Sequence, residues 1–387
     1  MYKILTLNNI SVKGLERLPR NNYEVASEIQ HPDAVLLRSF KMHDWEIPAT
    51  LKAVGRAGAG VNNIPVAKMS AKGIVVFNTP GANANAVKEL VLASMLIASR
   101  NLFPAWEYAR SLTGADADIS KQVEAGKKQF VGSELANRTL GVIGLGAIGV
   151  KVANAAHALG MQVVGYDPHI TVNNAWQLSS NVKQASSVED VLAQCELVTL
   201  HVPLVEATRN VINAERLRNA RQGIMIFNFS REGIIDDTAV SQAIKVGTVK
   251  GYVCDFPTNQ LINHEKVIVL PHLGASTEEA EENCAIMVAD QVREYLEQGT
   301  VRNSVNFPDL EMPRNGGYRL LVVNANVPHM IEQISATIAK ASLNIMNMVN
   351  KSRNDMACTL VDVETPVPET VIESLRQIAG VLTARAV

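Results

Sequence analysis

The segment Thr139-Leu140-Gly141-Val142-Ile143-Gly144-Leu145-Gly146-Ala147-Ile148-Gly149 reads as a buried strand, a glycine turn and the start of a helix. Its last three separated glycines form GxGxxG. That pattern also occurs in ordinary strand–turn–helix junctions, but here an apolar strand precedes it and an apolar-faced helix, 148–159, follows. Gly144 permits the tight turn, Gly146 lets the backbone approach a pyrophosphate, and Gly149 lets helix and strand pack closely. Ala147 and Ile148 lie at the helix N-terminus, where free N–H groups and the positive dipole end favour phosphate oxygens. The next strand ends on Asp167, in Val164-Gly165-Tyr166-Asp167. A carboxylate there accepts hydrogen bonds from ribose hydroxyls and repels a 2′-phosphate, so the expected dinucleotide is NAD. His169, just beyond, could gain positive charge and soften that preference.

Outward from this loop the chain keeps a strand–helix rhythm. Before it, 2–7, 34–37, 53–57 and 75–78 read as strands, and a long helix starts near Asn83, with Ala86, Leu90, Ala93 and Ile97 at helical spacing. The stretch 113–128 is polar and rich in Ala and Gly, and reads as a surface excursion. After the loop, strands are expected at 162–167, 197–202, 224–228, 249–254 and 267–270, with helices between them and a long helix at 276–298. Residues 303–317 are rich in Pro, Asn and Gly and read as a linker. Beyond them, 318–324, 345–350, 357–364 and 381–387 read as strands and 330–341 and 369–377 as helices, in the order βαββαβ. The expected class is α/β: two Rossmann-like, doubly wound parallel-sheet domains followed by a ferredoxin-like βαββαβ module. The first domain is expected to be discontinuous, 1–90 with 275–302, flanking a dinucleotide domain at 91–274. The small module spans 316–387.

The chain has 387 residues, 47% of them hydrophobic, enough for two or three globular cores. Lys and Arg number 36 against 38 Asp and Glu, a net charge of −2, which does not favour a nucleic-acid partner. No apolar stretch is long enough to span a bilayer, so no membrane partner is expected. Cys195, Cys254, Cys284 and Cys358 have neither metal-ligand nor redox-motif spacing. They read as reduced packing residues of a cytoplasmic protein that holds no metal.

Three later segments fall at the ends of consecutive strands, where ligands bind in open α/β sheets. They are Asn228-Phe229-Ser230-Arg231-Glu232-Gly233, Cys254-Asp255-Phe256-Pro257-Thr258-Asn259 and Pro271-His272-Leu273-Gly274-Ala275-Ser276. Arg231 can grip a carboxylate through two parallel hydrogen bonds. His272 can exchange a proton near neutral pH. Taken singly, a surface ion pair for the Arg and a capped loop for the His are equally good readings.

These blocks, with Arg38-Ser39, Gly58-Ala59-Gly60-Val61-Asn62, Asn78-Thr79-Pro80 and His201-Val202-Pro203, occur in an order and spacing that resembles the D-2-hydroxyacid dehydrogenase family over nearly the whole chain. The resemblance implies an NAD-dependent oxidoreductase in which Arg231 binds the substrate's carboxylate and His272 is the acid–base on the C2 oxygen. It places His201, Val202, Pro203, Thr208, Asn228, Phe229, Ser230, Asp255, His272 and Gly274 along the cofactor, and Arg38, Ser39, Gly58, Gly60, Asn83 and Arg231 around the substrate. The C-terminal module resembles an ACT domain, which senses amino acids. With that module the resemblance favours 3-phosphoglycerate as the small anionic substrate, the first step of L-serine biosynthesis, over hydroxypyruvate or glyoxylate. A non-catalytic NAD sensor that recruits partner proteins is the reading from a different class.

Two departures stand out. Family members carry a Glu shortly after Asp255 that pairs with the His, and Asn259 occupies that place. Asn can orient an imidazole, but it does not stabilise an imidazolium as a carboxylate does, so Glu232 and Glu265 are candidate replacements. In the C-terminal module the candidate L-serine effector site is Asn324, Asn326 and Asn344, of which Asn326 and Asn344 match positions that hold the amino acid. Asn324, however, stands where His is usual, and His329 stands where Gly tightens the turn. The unprotected edges of a βαββαβ sheet lead us to expect a homo-oligomer.

Overall fold

The computed structural model describes residues 1–387. The chain divides into two compact units, residues 1–83 with 278–387, and residues 84–277. Three sheets carry it, two parallel and one antiparallel.

In the first unit, β1 (Tyr2–Leu7), β2 (Tyr23–Ala26), β3 (Ala34–Leu37), β4 (Ala53–Arg56) and β5 (Val75–Phe77) form a parallel sheet in the order β2-β1-β3-β4-β5. Ile4, Ala34, Leu36, Ala53 and Val75 face one core with the helix Glu278–Gln298. Leu5, Val35, Leu37, Val54 and Val76 face another with Met69 and Ile64. Both faces are buried at the centre of the sheet, so β3, β4 and β5 are nearly continuous apolar runs and do not alternate. The sequence reading missed β2. It is a four-residue edge strand with only Tyr23 fully buried, so it carries almost no hydrophobic pattern.

In the second unit, β6 (Thr139–Ile143), β7 (Gln162–Tyr166), β8 (Lys183–Gln184), β9 (Leu197–Leu200), β10 (Ile224–Asn228), β11 (Val249–Cys254) and β12 (Val267–Val269) are ordered β12-β11-β10-β9-β6-β7-β8. The order reverses at β6, which is the topological switch point of a dinucleotide fold. β8 is a two-residue exposed edge, invisible to pattern reading. The expected surface excursion, 113–128, holds the helix Asp116–Gly126, and another helix, Leu102–Ser111, precedes it. The former buries only Gly126 and the latter no residue, so neither shows an apolar stripe.

The C-terminal strands are β13 (Tyr318–Ala325), β14 (Ile345–Arg353), β15 (Met356–Val363) and β16 (Val381–Ala386), in the antiparallel order β14-β15-β13-β16. β14 runs further than its apolar part. Arg353 pairs with Met356 across a two-residue turn in which Asn354 has φ 53°, a conformation Asn tolerates. One face of this sheet, Leu320, Val322, Val361 and Val363, packs on the helices Met330–Lys340 and Glu369–Arg376. The other, Leu321, Val323, Cys358 and Leu360, joins Tyr295 and Leu296 of the helix Glu278–Gln298. The segment leading into it is packed: Phe307, Leu310 and Met312 are buried, and Val301 and Leu310 exchange backbone hydrogen bonds of 2.8 and 2.9 Å.

Candidate active site

Parallel pairing puts every strand's carboxyl end on one edge of its sheet. In the second unit that edge carries Gly144 after β6, Asp167 after β7, His201 after β9, Arg231 after β10, Asp255 after β11 and His272 after β12.

The glycine loop is built for close approach. Gly144 sits at φ 91°, and a Cβ there would lie 2.6 Å from the His201 carbonyl oxygen and 2.8 Å from Val202 Cγ1. At Gly149 a Cβ would come within 1.9 Å of the Gly144 carbonyl oxygen. Around Gly146 nothing lies within 4 Å of that position, and the helix Ala147–Ala158 has no side-chain cap. Asp167 holds the loop: Leu145 N–H donates to its Oδ2 and His169 N–H to its Oδ1, each at 2.8 Å. Each carboxylate oxygen keeps lone-pair capacity for a ribose hydroxyl.

Beside the loop, His201 Nε2 lies 3.0 Å from Thr199 Oγ1, and its Nδ1 is enclosed without a partner. Burial lowers its pKa to about 3, so the ring is neutral at physiological pH. Ser230 donates its hydroxyl to the Leu200 carbonyl. Asn228 accepts from Ser230 N–H at 3.1 Å and donates to the Arg231 carbonyl at 3.0 Å, bracing the Arg231 loop. Arg231 Nη1 donates to the Ser230 carbonyl at 2.6 Å, one of the five donors a guanidinium carries. Thr208 is engaged locally, accepting from Val205 N–H at 2.9 Å in the turn that follows Pro203.

Asp255 is 1% exposed. Gly274 N–H approaches its Oδ2 at 3.4 Å, and Oδ1 is buried without a partner. Burial pushes its carboxyl up. The charges of His272 and Arg231 and the Gly274 N–H oppose that rise only in part, so the carboxyl stays above its ordinary range. The Phe256 ring lies 5.0 Å from the imidazole of His272, tilted by 58°. The residues fit a dinucleotide: an open glycine cradle, an uncapped helix end, and an orphaned buried acceptor at Asp255 that a carboxamide N–H₂ can satisfy.

Asn259 is exposed on the loop after β11. Its neighbour Thr258 fastens that loop, donating to Asp237 Oδ2 at 3.0 Å. Of the two replacement acids, Glu265 precedes β12 whereas His272 follows it, so they lie at opposite ends of one strand. Glu232 is on the same edge as His272 but exposed, with its charge felt at Asp237.

In the first unit the carboxyl edge carries Arg38 and Ser39 after β3, Gly58 and Gly60 after β4, and Asn78 after β5. Asn8 Oδ1 accepts from Ser39 N–H at 3.1 Å, Thr79 N–H donates to the Gly58 carbonyl at 3.1 Å, and Asn78 Nδ2 donates to the Ala59 carbonyl at 2.6 Å. Asn83 precedes the helix Ala84–Ser99. The sequence reading missed Arg56. Its Nε donates to the Arg38 carbonyl at 3.1 Å, and its Nη1 lies 2.6 Å from where a Gly58 Cβ would stand. An Arg ending a strand two residues before a glycine pair was the available signal.

Around the C-terminal sheet, Asn324 is buried and donates to the Ala325 carbonyl at 2.7 Å, leaving its Oδ1 unpartnered. Asn326 donates to the Asn354 carbonyl at 2.9 Å and Asn344 to Glu364 Oε1 at 2.8 Å. His329 has φ 63°, the left-handed conformation for which Gly is better suited.

A family model described as the D-isomer specific 2-hydroxyacid dehydrogenase, NAD binding domain, matches residues 93–274. The D-3-phosphoglycerate dehydrogenase of Haemophilus influenzae is 34% identical over 353 residues, 88% of this chain and 82% of that protein. That of Methanocaldococcus jannaschii is 33% identical over 84% of this chain, which spans only 61% of its length. Among solved structures, the NAD⁺-bound 3-phosphoglycerate dehydrogenase of Entamoeba histolytica is 28% identical, with a TM-score of 0.62 over 80% of this chain and 99% of that one. With the glycine cradle and the Arg231–Asp255–His272 group at one sheet edge, these likenesses lead to one assignment: the chain belongs to the D-2-hydroxyacid dehydrogenase family and carries its NAD-binding domain.

Proposed function

We propose that this dehydrogenase oxidises 3-phosphoglycerate to 3-phosphohydroxypyruvate, the first step of L-serine biosynthesis. The observation that carries the reading is a pair of guanidinium groups, Arg38 and Arg56, at the carboxyl edge of the first sheet, with Arg56 Nε donating to the Arg38 carbonyl. A substrate with two anionic groups needs two cationic sites. The D-3-phosphoglycerate dehydrogenases among the relatives support the same substrate.

The roles follow from the chemistry of the groups. Bound NAD would supply the hydride acceptor for the substrate's C2. Gly144 to Gly149 and Asp167 would hold its pyrophosphate and ribose, and Asp255 would accept from its carboxamide. Arg231 fixes the substrate carboxylate, which orients C2 and makes the transfer effectively unimolecular. His272 takes the proton from the C2 hydroxyl, with its ring packed against Phe256. The edge strand β14 and the exposed Leu102, Phe103 and Trp106 support a homo-oligomer. Asn326 and Asn344 would bind L-serine by exchanging their present intramolecular hydrogen bonds for the effector. The buried, unpaired cysteines suit a reducing cytoplasm.

The deciding assay follows NADH absorbance with 3-phosphoglycerate, D-glycerate and D-lactate, with and without millimolar L-serine. Preference for 3-phosphoglycerate supports the reading, and preference for an unphosphorylated acid replaces it with a reductase of that acid. An absence of serine inhibition removes the effector role. Arg231→Ala is expected to lower kcat/KM about 100- to 1000-fold. In a non-catalytic NAD sensor, the wild type would show no turnover to lose.

A further inference from the structure

Arg38 and Arg56 do not face solvent alone. The helix Glu278–Gln298 brings Glu281 onto Arg38, with Oε1 2.7 Å from Nη1. The two side chains are 40% and 45% exposed, so the pair stays open to water. Cys284, one turn along the same helix, registers all three charges. Burial pushes its thiol up, a contact with Thr79 and the charges of Arg38 and Arg56 pull it down, and Glu281 pushes it up again. The position also suits an acid for a local reason. Glu278, Glu279 and Glu281 occupy the first turn of the helix, where the dipole favours negative charge.

We infer that Glu281 is a specificity-determining residue: it occupies Arg38 as an internal anion, and a substrate's distal phosphate binds there only by displacing it. This rests on the proposed activity toward a phosphorylated 2-hydroxy acid. A phosphate dianion carries more charge than a carboxylate, and an exposed ion pair is worth at most a few-fold in affinity, so displacement is feasible. The displaced carboxylate stays tethered close by and repels the incoming dianion. A substrate whose tail is a neutral hydroxyl meets an already neutralised Arg38 and suffers no such opposition. Glu281 therefore narrows the advantage that two arginines would otherwise give a phosphorylated substrate.

The test compares kcat/KM for 3-phosphoglycerate and for D-glycerate, which differ only in the distal phosphate. It uses the full chain as wild type, Glu281→Gln, Arg38→Ala and the double variant. Gln keeps the shape and removes the charge. Glu281→Gln is expected to raise the 3-phosphoglycerate to D-glycerate ratio about fivefold, chiefly through KM. In the Arg38→Ala background the same substitution should change the ratio less than about twofold. An unchanged ratio overturns the inference. So does a falling ratio, which would make Glu281 a clamp that positions Arg38, or a rise that persists without Arg38. If the wild type reduces NAD with neither acid, the catalytic reading fails on its own account. Calorimetric titration of 3-phosphoglycerate into the NADH-saturated chain then decides the inference, which stands only if Glu281→Gln tightens binding about fivefold.

Discussion

Arg319 on β13 and Asp362 on β15 face each other across the antiparallel ladder and close a two-pronged ion pair, Nε to Oδ1 at 2.6 Å and Nη2 to Oδ2 at 2.7 Å. The pair is almost wholly buried, and Arg319 Nη1 also donates to the Gln298 carbonyl at 3.3 Å. Nearby, Arg385 donates to the Tyr295 and Leu296 carbonyls at 2.6 and 3.0 Å. Two arginines of the C-terminal sheet thus donate to carbonyls of the last turn of the helix Glu278–Gln298, where Gly299 N–H also reaches Tyr295 and the Tyr2 hydroxyl reaches Leu296. Asp362→Ala strands a buried guanidinium and is expected to cost about 3–5 kcal/mol. Joint replacement by Met and Leu should recover most of that loss. Thermal unfolding of the three chains measures it, and an equal drop in the double variant would mean the charge pair is not the cause.

The two glycines that open the helix Ala147–Ala158 should respond differently to a methyl group. Gly149→Ala drives a Cβ onto the Gly144 carbonyl, backbone that can move only by opening the turn, and is expected to lower stability by about 1–3 kcal/mol even without cofactor. Gly146→Ala meets no protein atom, so the melting temperature without NAD should stay within a degree or two of wild type while NAD affinity falls about tenfold or more. Calorimetric NAD binding beside apo melting curves separates the two. Equal loss of affinity without loss of stability at both positions would refute the steric argument.

His201 makes stability depend on acid. Its pKa is lowered from 6.5 to about 3 by burial, so the unfolded chain binds the proton more tightly than the folded one. The contribution is complete above pH 6.5 and is lost as pH falls toward 3, at up to about 1.4 kcal/mol per pH unit. His201→Gln removes the titrating group, and its stability should fall less steeply across that window. Urea unfolding at pH 7, 6, 5 and 4 gives the slopes, and parallel slopes would rule His201 out as the source.

Asn259→Glu places a carboxylate on the loop whose other members, Asp255 and Phe256, lie against the His272 loop. A negative charge beside an imidazole favours its protonated form. In the oxidation direction His272 must be unprotonated, so the acidic limb of the kcat/KM profile should move to higher pH. A superimposable profile would show that the side chain at this position points away from the imidazole, as its exposure in the wild type allows.

The strands that were read correctly, such as Ala34–Leu37 and Ile224–Asn228, are buried on both faces and announce themselves by unbroken apolar runs. What was missed lies at edges and surfaces. Tyr23–Ala26 and Lys183–Gln184 are sheet margins, and Leu102–Ser111 is a helix with no buried side. Residues 303–317 have the composition of a linker, yet Phe307 and Leu310 anchor them in a core whose other half comes from distant strands.

The sequence alone determined the cofactor loop, because everything GxGxxG requires is local: one strand, one turn and one helix end, contiguous from Thr139 to Ala158. It also determined the order of Arg231, Asp255 and His272 along the sheet, since parallel strands deliver their following residues to one edge. Only the tertiary structure decided what those and other charges meet. It buried Asp255 with an orphaned oxygen, placed Arg56 beneath Gly58, and set Glu281 on Arg38. Charge pairing depends on distances of a few ångströms between segments far apart in the chain, and no local spacing encodes such a distance.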